Sequence, residues 1–313
     1  MKVLFIAREK NFNKPGYVVQ NQADSLRSEG IDVDFFLVKK GGLIGYIKSY
    51  FLLKKSLLAQ FDVIHAHYSF CGLIATLKSS NLVVSLMGSD ILNCNAINLD
   101  IISFCANNFW RATILKSPQM AEKLNCKNDI HIVPNGVDLN HFKPMNFNLA
   151  RNKLNLSNDI AYILFVGDPT RDEKNFKLVR EVEELINKNK VKLLIANNID
   201  PSEMPLYYNS SNCLLVTSFY EGSMNAIKEA MACNLPILST DVGDTKLNIG
   251  ELDYCEIIPY DPYFIAKKVE DLSSEIYRNS GRDRILKLQL DQSSVNYKLR
   301  TIYKNVCKGS YNN

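Results

Sequence analysis

The sequence predicts an α/β protein with two doubly wound parallel-sheet domains, on three observations. Short apolar runs alternate with helical patterns from the first residue onward, an order typical of βαβ units. A polar, proline-containing stretch at residues 134–159 interrupts this alternation, which then resumes, and is predicted to connect the domains. The length of 313 residues also suits two domains, because single domains centre on roughly 100 to 150 residues.

Each half of the chain supplies its own series of predicted strands. Those of the first half are residues 3–7, 32–38, 63–66, 82–86, 112–115 and 130–133, and those of the second half are residues 162–166, 192–196, 213–216, 236–238 and 255–258. The pattern from about residue 262 to 305 is helical, and we expect this tail to cross back and brace the first domain. The predicted domains are therefore residues 1–145 and 146–285, followed by a C-terminal helix and tail at 286–313.

Composition excludes several classes of protein. A formal net charge of +4 is too small to indicate nucleic-acid binding, and the eight cysteines show neither a C-x-x-C pair nor metal-ligand spacing. Residues 1–6 enter a strand-like run directly, without the regions of a signal peptide. No apolar segment reaches the ~20 residues that cross a bilayer, so we expect a cytoplasmic protein.

The most informative segment is residues 218–241, which reads as loop, helix, turn and buried strand. Glu221 lies in the loop before the helix and Glu229 about a turn and a half inside it. Residues 222–225 place backbone N–H groups at a positive helix end, which suits an anion or a hydroxyl-rich ligand. Hydrogen-bond acceptors beside hydrogen-bond donors suit a sugar nucleotide. A capped amphipathic helix packed on a sheet explains the same residues without a ligand.

Three segments together resemble the family-four retaining glycosyltransferases (glycosyl transferases group 1), which have the GT-B fold of two facing Rossmann-like domains. Residues 221–237 are similar to that family's E-x7-E element followed by E-A-M-A-x-x-x-P-[IV]. Residues 134–144 resemble its interdomain P-N-G-V-D-x-x-x-F-x-P, and residues 165–167 with Lys174 resemble its phosphate-binding loop. The resemblance implies an acceptor domain followed by a donor domain, and transfer of a sugar from a nucleotide sugar to a glycan or lipid-linked saccharide in bacterial surface polysaccharide synthesis.

The resemblance also implies roles for particular residues. Lys174 would hold the donor diphosphate, Glu221 would bind hydroxyls of the transferred sugar, and Glu229 would bind the ribose. The implied donor-binding residues are Gly16, Gly167, Arg171, Lys174, Glu221, Gly222, Ser223, Met224, Asn225 and Glu229. Lys174, Arg171 and Glu221 are the implied catalytic residues, and no cofactor is expected because the nucleotide sugar is a substrate.

Some positions depart from the family pattern. Asp168 stands where many relatives have an arginine, and we predict that Arg171 replaces it as a phosphate ligand. Met87 stands where relatives often have a histidine, which leaves His67 and Asp90 as acceptor-side candidates. Two other interpretations stay open: His67 as a structural histidine, and Asp90 as a helix N-cap.

The expected mechanism is front-face transfer with retention. The resemblance offers no carboxylate to form a covalent intermediate, so the departing phosphate would take the acceptor proton while Lys174 and Arg171 stabilise it. No metal is expected, because the Asp32-Val-Asp34 sequence favours a strand over a D-x-D metal motif.

Residues 39–58 combine an apolar helical pattern with Lys48, Lys54 and Lys55. This segment predicts either peripheral contact with the inner surface of an anionic membrane or a core-packing helix with solvated lysines. Two other functions fit only part of the sequence. A catalytically silent protein that binds nucleotide or glycan would explain the departures at Asp168 and Met87, whereas the lack of G-x-G-x-x-G after any strand argues against a dinucleotide-dependent oxidoreductase.

Overall fold

The computed structural model describes residues 1–11, 13–39, 42–127 and 129–309 and consists of two compact units. Unit 1 comprises Met1–Gly136 together with Gln292–Asn313, and unit 2 comprises Val137–Asp291. The predicted boundary after residue 145 therefore lies within unit 2. The chain returns to unit 1 at Gln292, a few residues after the predicted start of the C-terminal helix.

Within the described residues, unit 1 contains a seven-stranded sheet. Its strands are β1 (Lys2–Asn11), β2 (Lys14–Pro15), β3 (Asp32–Val38), β4 (Val63–His67), β5 (Leu82–Ser85), β6 (Ala112–Leu115) and β7 (Ile130–Ile132). Strands β3, β1, β4, β5, β6 and β7 pair in that order and are all parallel. The short β2 pairs antiparallel with the end of β1.

Unit 2 contains a five-stranded sheet in which every described pairing is parallel. Its strands are β8 (Ala161–Val166), β9 (Val191–Ala196), β10 (Cys213–Val216), β11 (Ile237–Ser239) and β12 (Cys255–Ile257). Their order across the sheet is β12-β11-β10-β8-β9. The central strands β5, β6, β10 and β11 are buried along their whole length. This is typical of parallel sheets that have helices on both faces.

Helices connect the strands in both units. Those of unit 1 are α1 (Tyr17–Ser28), α2 (Gly42–Leu52), α3 (Lys55–Leu58), α4 (Ser69–Ala75), α5 (Ser89–Leu92), α6 (Ala96–Asn108), α7 (Pro118–Lys123) and α15 (Gln292–Lys308). Those of unit 2 are α8 (Phe147–Lys153), a 3-10 turn (Asp172–Lys174), α9 (Phe176–Leu185), α10 (Met204–Ser210), α11 (Asn225–Ala232), α12 (Thr245–Ile249), α13 (Pro262–Ser273) and α14 (Gly281–Lys287). Among the described residues, none of these helices is long and apolar enough to cross a bilayer.

Helix α15 packs on the sheet of unit 1, as the sequence predicts for a tail that crosses back. Leu299 and Tyr303 are completely buried in the same core cluster as Phe5. The Tyr303 hydroxyl lies 2.6 Å from Nδ1 of His65 on β4. Unit 1 therefore closes its core with residues that follow unit 2 in the chain.

The polar stretch predicted to connect the domains is mostly part of unit 2. Phe142 is buried in the unit 2 core, and the Arg282 guanidinium donates to its carbonyl at 2.8 Å. Arg151 on α8 is 1% exposed and donates at 2.9 Å to the Ser210 carbonyl. Polar composition suggested an exposed linker, but buried hydrogen bonds satisfy these polar groups.

Candidate functional site in unit 2

Two loops of unit 2 leave the carboxyl ends of neighbouring parallel strands. Residues 167–174 follow β8, and residues 217–224 follow β10 and lead into α11. Loops at this edge of a parallel sheet are the usual place for ligands. These two loops contain most of the donor-binding residues predicted from the sequence.

Lys174 and Glu221 form an ion pair that joins the two loops. The Lys174 ammonium donates to Glu221 Oε1 at 2.6 Å, and the Ser218 hydroxyl donates to the same oxygen at 3.2 Å. The two paired side chains are 10% and 20% exposed. Restricted access to water strengthens such a charge-assisted bond relative to a surface pair.

Gly167 makes room for the Lys174 side chain. Its φ of +140° is unfavourable for residues with a Cβ, and a Cβ there would lie 3.3 Å from Lys174 Cε. Two further hydrogen bonds fix the loops: the Thr217 hydroxyl donates to the Lys174 carbonyl at 2.9 Å, and the Phe219 amide donates to the Glu173 carbonyl at 2.9 Å. The backbones of the two loops therefore fix the position of the Lys174 ammonium group.

Residues 222–225 lie at the start of α11, where amide groups have no partner within a helix. Met224 is the N-cap residue and its side chain makes no capping hydrogen bond. The backbone of this loop touches Gly243, where an added Cβ would lie 2.6 Å from the Gly222 carbonyl oxygen. This close approach fixes the position of the loop that precedes Asn225.

A buried polar network under this loop was missed by the sequence reasoning. The Ser223 hydroxyl donates to Asp244 Oδ2 at 2.6 Å, and the Lys228 ammonium donates to the Ser223 hydroxyl at 3.0 Å. Burial lowers the pKa of Lys228 to about 8, against the opposing effect of the carboxylates of Asp244 and Glu229. Lys228 looks like a solvated helix lysine in the sequence, and nothing in the sequence pairs it with Asp244.

Glu229 is held by a tyrosine from the neighbouring helix. The hydroxyl of Tyr208, on α10 and completely buried, donates to Glu229 Oε2 at 2.6 Å. Burial raises the pKa of Glu229, while this hydrogen bond and the positive charge of Lys228 act in the opposite direction. The carboxylate has a partner here without any ligand, which the sequence did not indicate.

Arg171 pairs with Glu173 rather than with the Lys174–Glu221 pair. Its side chain is 55% exposed. The Asp168 carboxylate accepts hydrogen bonds from the amide and hydroxyl of Thr170 at 2.9 and 2.7 Å, and these bonds lower its pKa. The predicted role of Arg171 as a phosphate ligand remains a prediction.

Unit 1 contains the other predicted site residues. Gly16 is the N-cap residue of α1 with an ordinary φ of −63°. Among the described residues, a Cβ added there would approach nothing closer than Lys10 Cδ at 3.9 Å. Glycine is therefore not required by the backbone, and the space beside it is open.

His67 is buried at the end of β4. Its ring lies 4.5 Å from the Phe5 ring and 4.2 Å from the His65 ring, measured between centroids. Burial and the charge of Lys116 lower the pKa of His67 to about 3, and its Nε2 has no hydrogen-bond partner among the described residues. The side chain is a neutral core group, which fits the structural interpretation.

Asp90 fixes the backbone between two helices. Its carboxylate accepts hydrogen bonds from the amides of Met87 at 2.8 Å, Gly88 at 2.9 Å and Ser69 at 3.0 Å. Burial nevertheless raises the pKa of Asp90, against these three bonds. Asp90 is not an N-cap residue, because it lies within α5, whose N-cap is Gly88; its carboxylate instead binds backbone amides at the starts of α4 and α5.

The predicted strand interpretation of the D-x-D sequence holds. Asp32 and Asp34 lie on β3, and Asp34 Oδ2 lies 3.6 Å from Lys2 Nζ.

A pocket of about 370 Å³ opens in unit 1 beside Asp90. Two aromatic side chains, Tyr68 and Phe70, and several amide side chains line it. Tyr68 has a φ of +89°, an uncommon conformation for a bulky residue that often marks a functional position.

The two parallel-sheet units define the fold class: the chain has the GT-B fold. Sucrose-phosphate synthase from Thermosynechococcus elongatus superimposes with a TM-score of 0.78 at 16% identity, over 98% of this chain and 99% of that chain. HepE from Anabaena, solved in complex with UDP and glucose, gives a TM-score of 0.76 at 16% identity, over 97% of this chain and 100% of that chain.

Residues 148–275, most of unit 2, match the family described as Glycosyl transferases group 1. Two of the three segments that carry the resemblance, residues 165–174 and 221–237, lie within this match, and the third, residues 134–144, lies before it. An uncharacterized glycosyltransferase of Methanocaldococcus jannaschii is 28% identical over 44% of this chain and 40% of that protein. The capsular polysaccharide biosynthesis glycosyltransferase CapM of Staphylococcus aureus is 26% identical over 59% of this chain and 58% of that protein, so the matches span about half the length of these relatives.

Proposed function

We propose that this protein is a retaining glycosyltransferase that moves a hexose-type sugar from a nucleotide sugar to a glycan or lipid-linked saccharide in bacterial surface polysaccharide synthesis. The observation that carries the proposal is the buried Lys174–Glu221 pair beside the start of α11. The family match of unit 2 and the similarity to CapM support the class of reaction.

In this proposal, binding of the donor breaks the Lys174–Glu221 ion pair, and the donor diphosphate replaces Glu221 at Lys174. The diphosphate of the nucleotide sugar competes with Glu221 for the Lys174 ammonium, because both are anions of similar hydrogen-bonding capacity. Glu221, released from Lys174, then accepts hydrogen bonds from hydroxyls of the transferred sugar. The amides of residues 222–225 bind the same ligand at the positive end of α11.

The chemical step breaks the bond between the anomeric carbon and the phosphate oxygen. Negative charge accumulates on the departing diphosphate, so the fixed Lys174 ammonium stabilises the transition state more than the ground state. The acceptor hydroxyl attacks from the same face, and its proton passes to the departing phosphate oxygen. Arg171 contributes if its guanidinium moves from Glu173 to the phosphate.

Glu229 is proposed to bind the ribose of the donor. In this proposal Glu229 Oε1 accepts from a ribose hydroxyl, while the Tyr208 hydroxyl donates to Oε2 at 2.6 Å. HepE supports a nucleotide ligand for this fold, since that protein was solved with UDP.

The acceptor is proposed to bind unit 1 in the pocket beside Asp90. Tyr68 and Phe70 provide aromatic faces for the apolar side of a sugar ring, and Asn93, Asn95 and Asn98 provide amides near its hydroxyls. Asp90 acts there by fixing the loop, whereas His67 packs against Phe5 and His65 in the core of unit 1.

A thermal-shift screen over UDP, GDP, ADP, CDP and their sugars tests the donor site. We expect the melting temperature to rise with the concentration of one nucleotide and its sugars, and Lys174→Ala to abolish that rise. Release of free nucleotide from the same donor then separates the two candidate functions. Turnover supports the transferase, and binding without any hydrolysis or transfer supports the silent binding protein. No shift with any nucleotide contradicts the transferase and a silent nucleotide-binding protein.

A further inference from the structure

Helix α2 is attached to unit 1 by its smallest residues and exposes its largest apolar ones. Gly45 and Ser49 are its buried positions. Leu43, Ile44, Ile47 and Phe51 are between 50% and 74% exposed. A helix that contributed to the core would have the opposite arrangement, so the core-packing interpretation of this segment is wrong for these side chains.

The exposed residues form one continuous stripe. At 3.6 residues per turn, positions 43, 44, 47 and 51 fall within about a third of the helix circumference, and Gly45 and Ser49 fall on the opposite side. We call this stripe the α2 apolar face and define it as Leu43, Ile44, Ile47 and Phe51. Contiguous apolar surface of this kind is uncommon on soluble monomers and marks an interaction site.

The helix is firmly held in this orientation. The Tyr46 ring packs on the Phe70 ring, with 5.2 Å between centroids. The Lys78 ammonium donates to the Leu53 carbonyl at 2.8 Å and lies 3.8 Å from the centroid of the Tyr50 ring. These contacts hold the middle and the C-terminal end of α2 against unit 1, so the apolar face stays on the surface.

The charges around α2 have one sign. Lys48, Lys54 and Lys55 are exposed, and the sequence between Asp34 and Asp62 contains no acidic residue. An apolar stripe flanked by lysines is complementary to an anionic bilayer surface, where apolar side chains enter the interface and lysines contact the headgroups. A second copy of this chain fits less well, because a symmetric contact would bring the lysines of both copies together without any acidic partner.

We propose that the α2 apolar face and its flanking lysines dock this protein on an anionic phospholipid bilayer. Phe70, which contacts α2 through Tyr46, also lines the unit 1 pocket. Phe70 therefore links the proposed docking surface to this pocket.

Sedimentation with vesicles tests the docking surface in the absence of nucleotide and acceptor, so its outcome is independent of the proposed activity. The 313-residue chain is mixed with vesicles of phosphatidylcholine alone or of phosphatidylcholine with phosphatidylglycerol. We expect binding to the anionic vesicles that weakens as salt is added. Reversal of Lys48, Lys54 and Lys55 to Glu is expected to reduce binding by at least about tenfold, and Ile44→Glu with Phe51→Glu is expected to abolish it.

Matched controls carry the same changes at exposed positions far along the chain. Lys188, Lys190 and Lys267 reversed to Glu, and Ile276→Glu with Tyr297→Glu, are expected to bind like the wild-type protein. Absence of wild-type binding, or equal loss in the test and control variants, overturns the proposal. So does a dimer, seen by analytical ultracentrifugation, that the α2 variants dissociate while vesicle binding is unchanged. If the apolar variant fails to fold, the lysine variant decides, since it alters only exposed side chains.

Discussion

Lys174 is buried, paired and fixed by two loops, which makes its replacement informative. Lys174→Ala should reduce donor turnover by roughly a hundredfold or more, because the charge on the departing diphosphate loses its fixed cation. The measurement is release of nucleotide from the donor identified by thermal shift. Lys177→Ala is the matched control, since Lys177 follows one turn later and its side chain is 86% exposed.

Retention of wild-type turnover in Lys174→Ala would contradict the assignment of this residue. A fall in turnover accompanied by a large fall in melting temperature would instead indicate a damaged loop. Lys174→Met, which keeps the length and apolar volume of the side chain, separates these two outcomes.

His67 should make unit 1 sensitive to acid. Its pKa is about 3 in the folded protein and near its ordinary value of about 6.5 in the unfolded chain. The unfolded state therefore binds more protons below pH 6.5, and stability falls as the pH decreases from that value towards 3. At pH 5 the loss is about 2 kcal/mol from this residue.

Urea unfolding at pH 7 and pH 5 measures this effect in wild type and His67→Leu. Trp110, the sole tryptophan of the sequence, is buried in unit 1, so its fluorescence reports on this unit. We expect the variant to lose less stability between the two pH values than the wild-type protein. Equal losses would show that His67 is accessible to protons in the folded state.

Sequence reasoning named Lys174 and Glu221, which the structure brings into contact, but it did not name the network around Lys228. Lys174 and Glu221 could be predicted because each belongs to a motif with fixed spacing. Lys228 and Asp244 could not, because their contact through Ser223 depends on how two loops pack. The approach of Gly243 to the Gly222 carbonyl is a packing fact of the same kind.

At the scale of single elements, α15 offers the sharpest test. Tyr303→Phe removes the hydroxyl that lies 2.6 Å from His65 Nδ1 and leaves that buried nitrogen without its partner. The expected cost is about 1–3 kcal/mol of unfolding free energy, measured by urea unfolding followed at Trp110. Tyr297→Phe is the matched control on the same helix, because Tyr297 is 73% exposed.

Equal stability of the two variants would show that the His65–Tyr303 contact contributes nothing. In that case the apolar contacts of α15, such as those of the buried Leu299, hold the helix alone. Loss of stability in both variants would point to the helix surface rather than to its buried contact.

Regular elements could be predicted and irregular ones could not. Predicted strands at 162–166 and 213–216 coincide with β8 and β10 because short apolar runs between turn residues have few alternatives. The two-residue β2 pairs antiparallel with β1 but has no apolar pattern from which it could be predicted. Helix α8 lies in a stretch whose polar residues look exposed until the buried Arg151 is seen in contact with Ser210.

At the scale of the whole molecule, the two units differ in the number of chain segments that form them. Unit 2 is one continuous segment, Val137–Asp291, whereas unit 1 needs two segments of chain. The sequence predicted both domains and the returning helix, because each has its own periodic pattern. It placed the division later than the structure does, since nothing in composition shows that Phe142 belongs to the core of unit 2.

This difference predicts how fragments behave. Residues 137–291 expressed alone should fold cooperatively and retain the thermal shift of the intact protein with nucleotide. Residues 1–136 alone should not, because the face of the sheet around Phe5 loses Leu299 and Tyr303 and exposes apolar surface to water. Circular dichroism and thermal melting of the two fragments check both expectations.

A stable fragment 1–136 would show that α15 is dispensable for unit 1. A fragment 137–291 that folds without binding nucleotide would show that unit 2 does not hold the donor alone. Addition of a peptide of residues 292–309 to the first fragment is the matched rescue, and it should restore cooperative melting.

The position of α15 also sets an order of events during synthesis. The strands of unit 1 leave the ribosome first, yet the helix that covers them emerges only after all of unit 2 has been made. Unit 2 can therefore complete its fold while one apolar face of the unit 1 sheet is still exposed to water. In the cell, a chaperone would find the largest exposed apolar surface during that interval. The first half of the chain would also be the last part to become resistant to proteases.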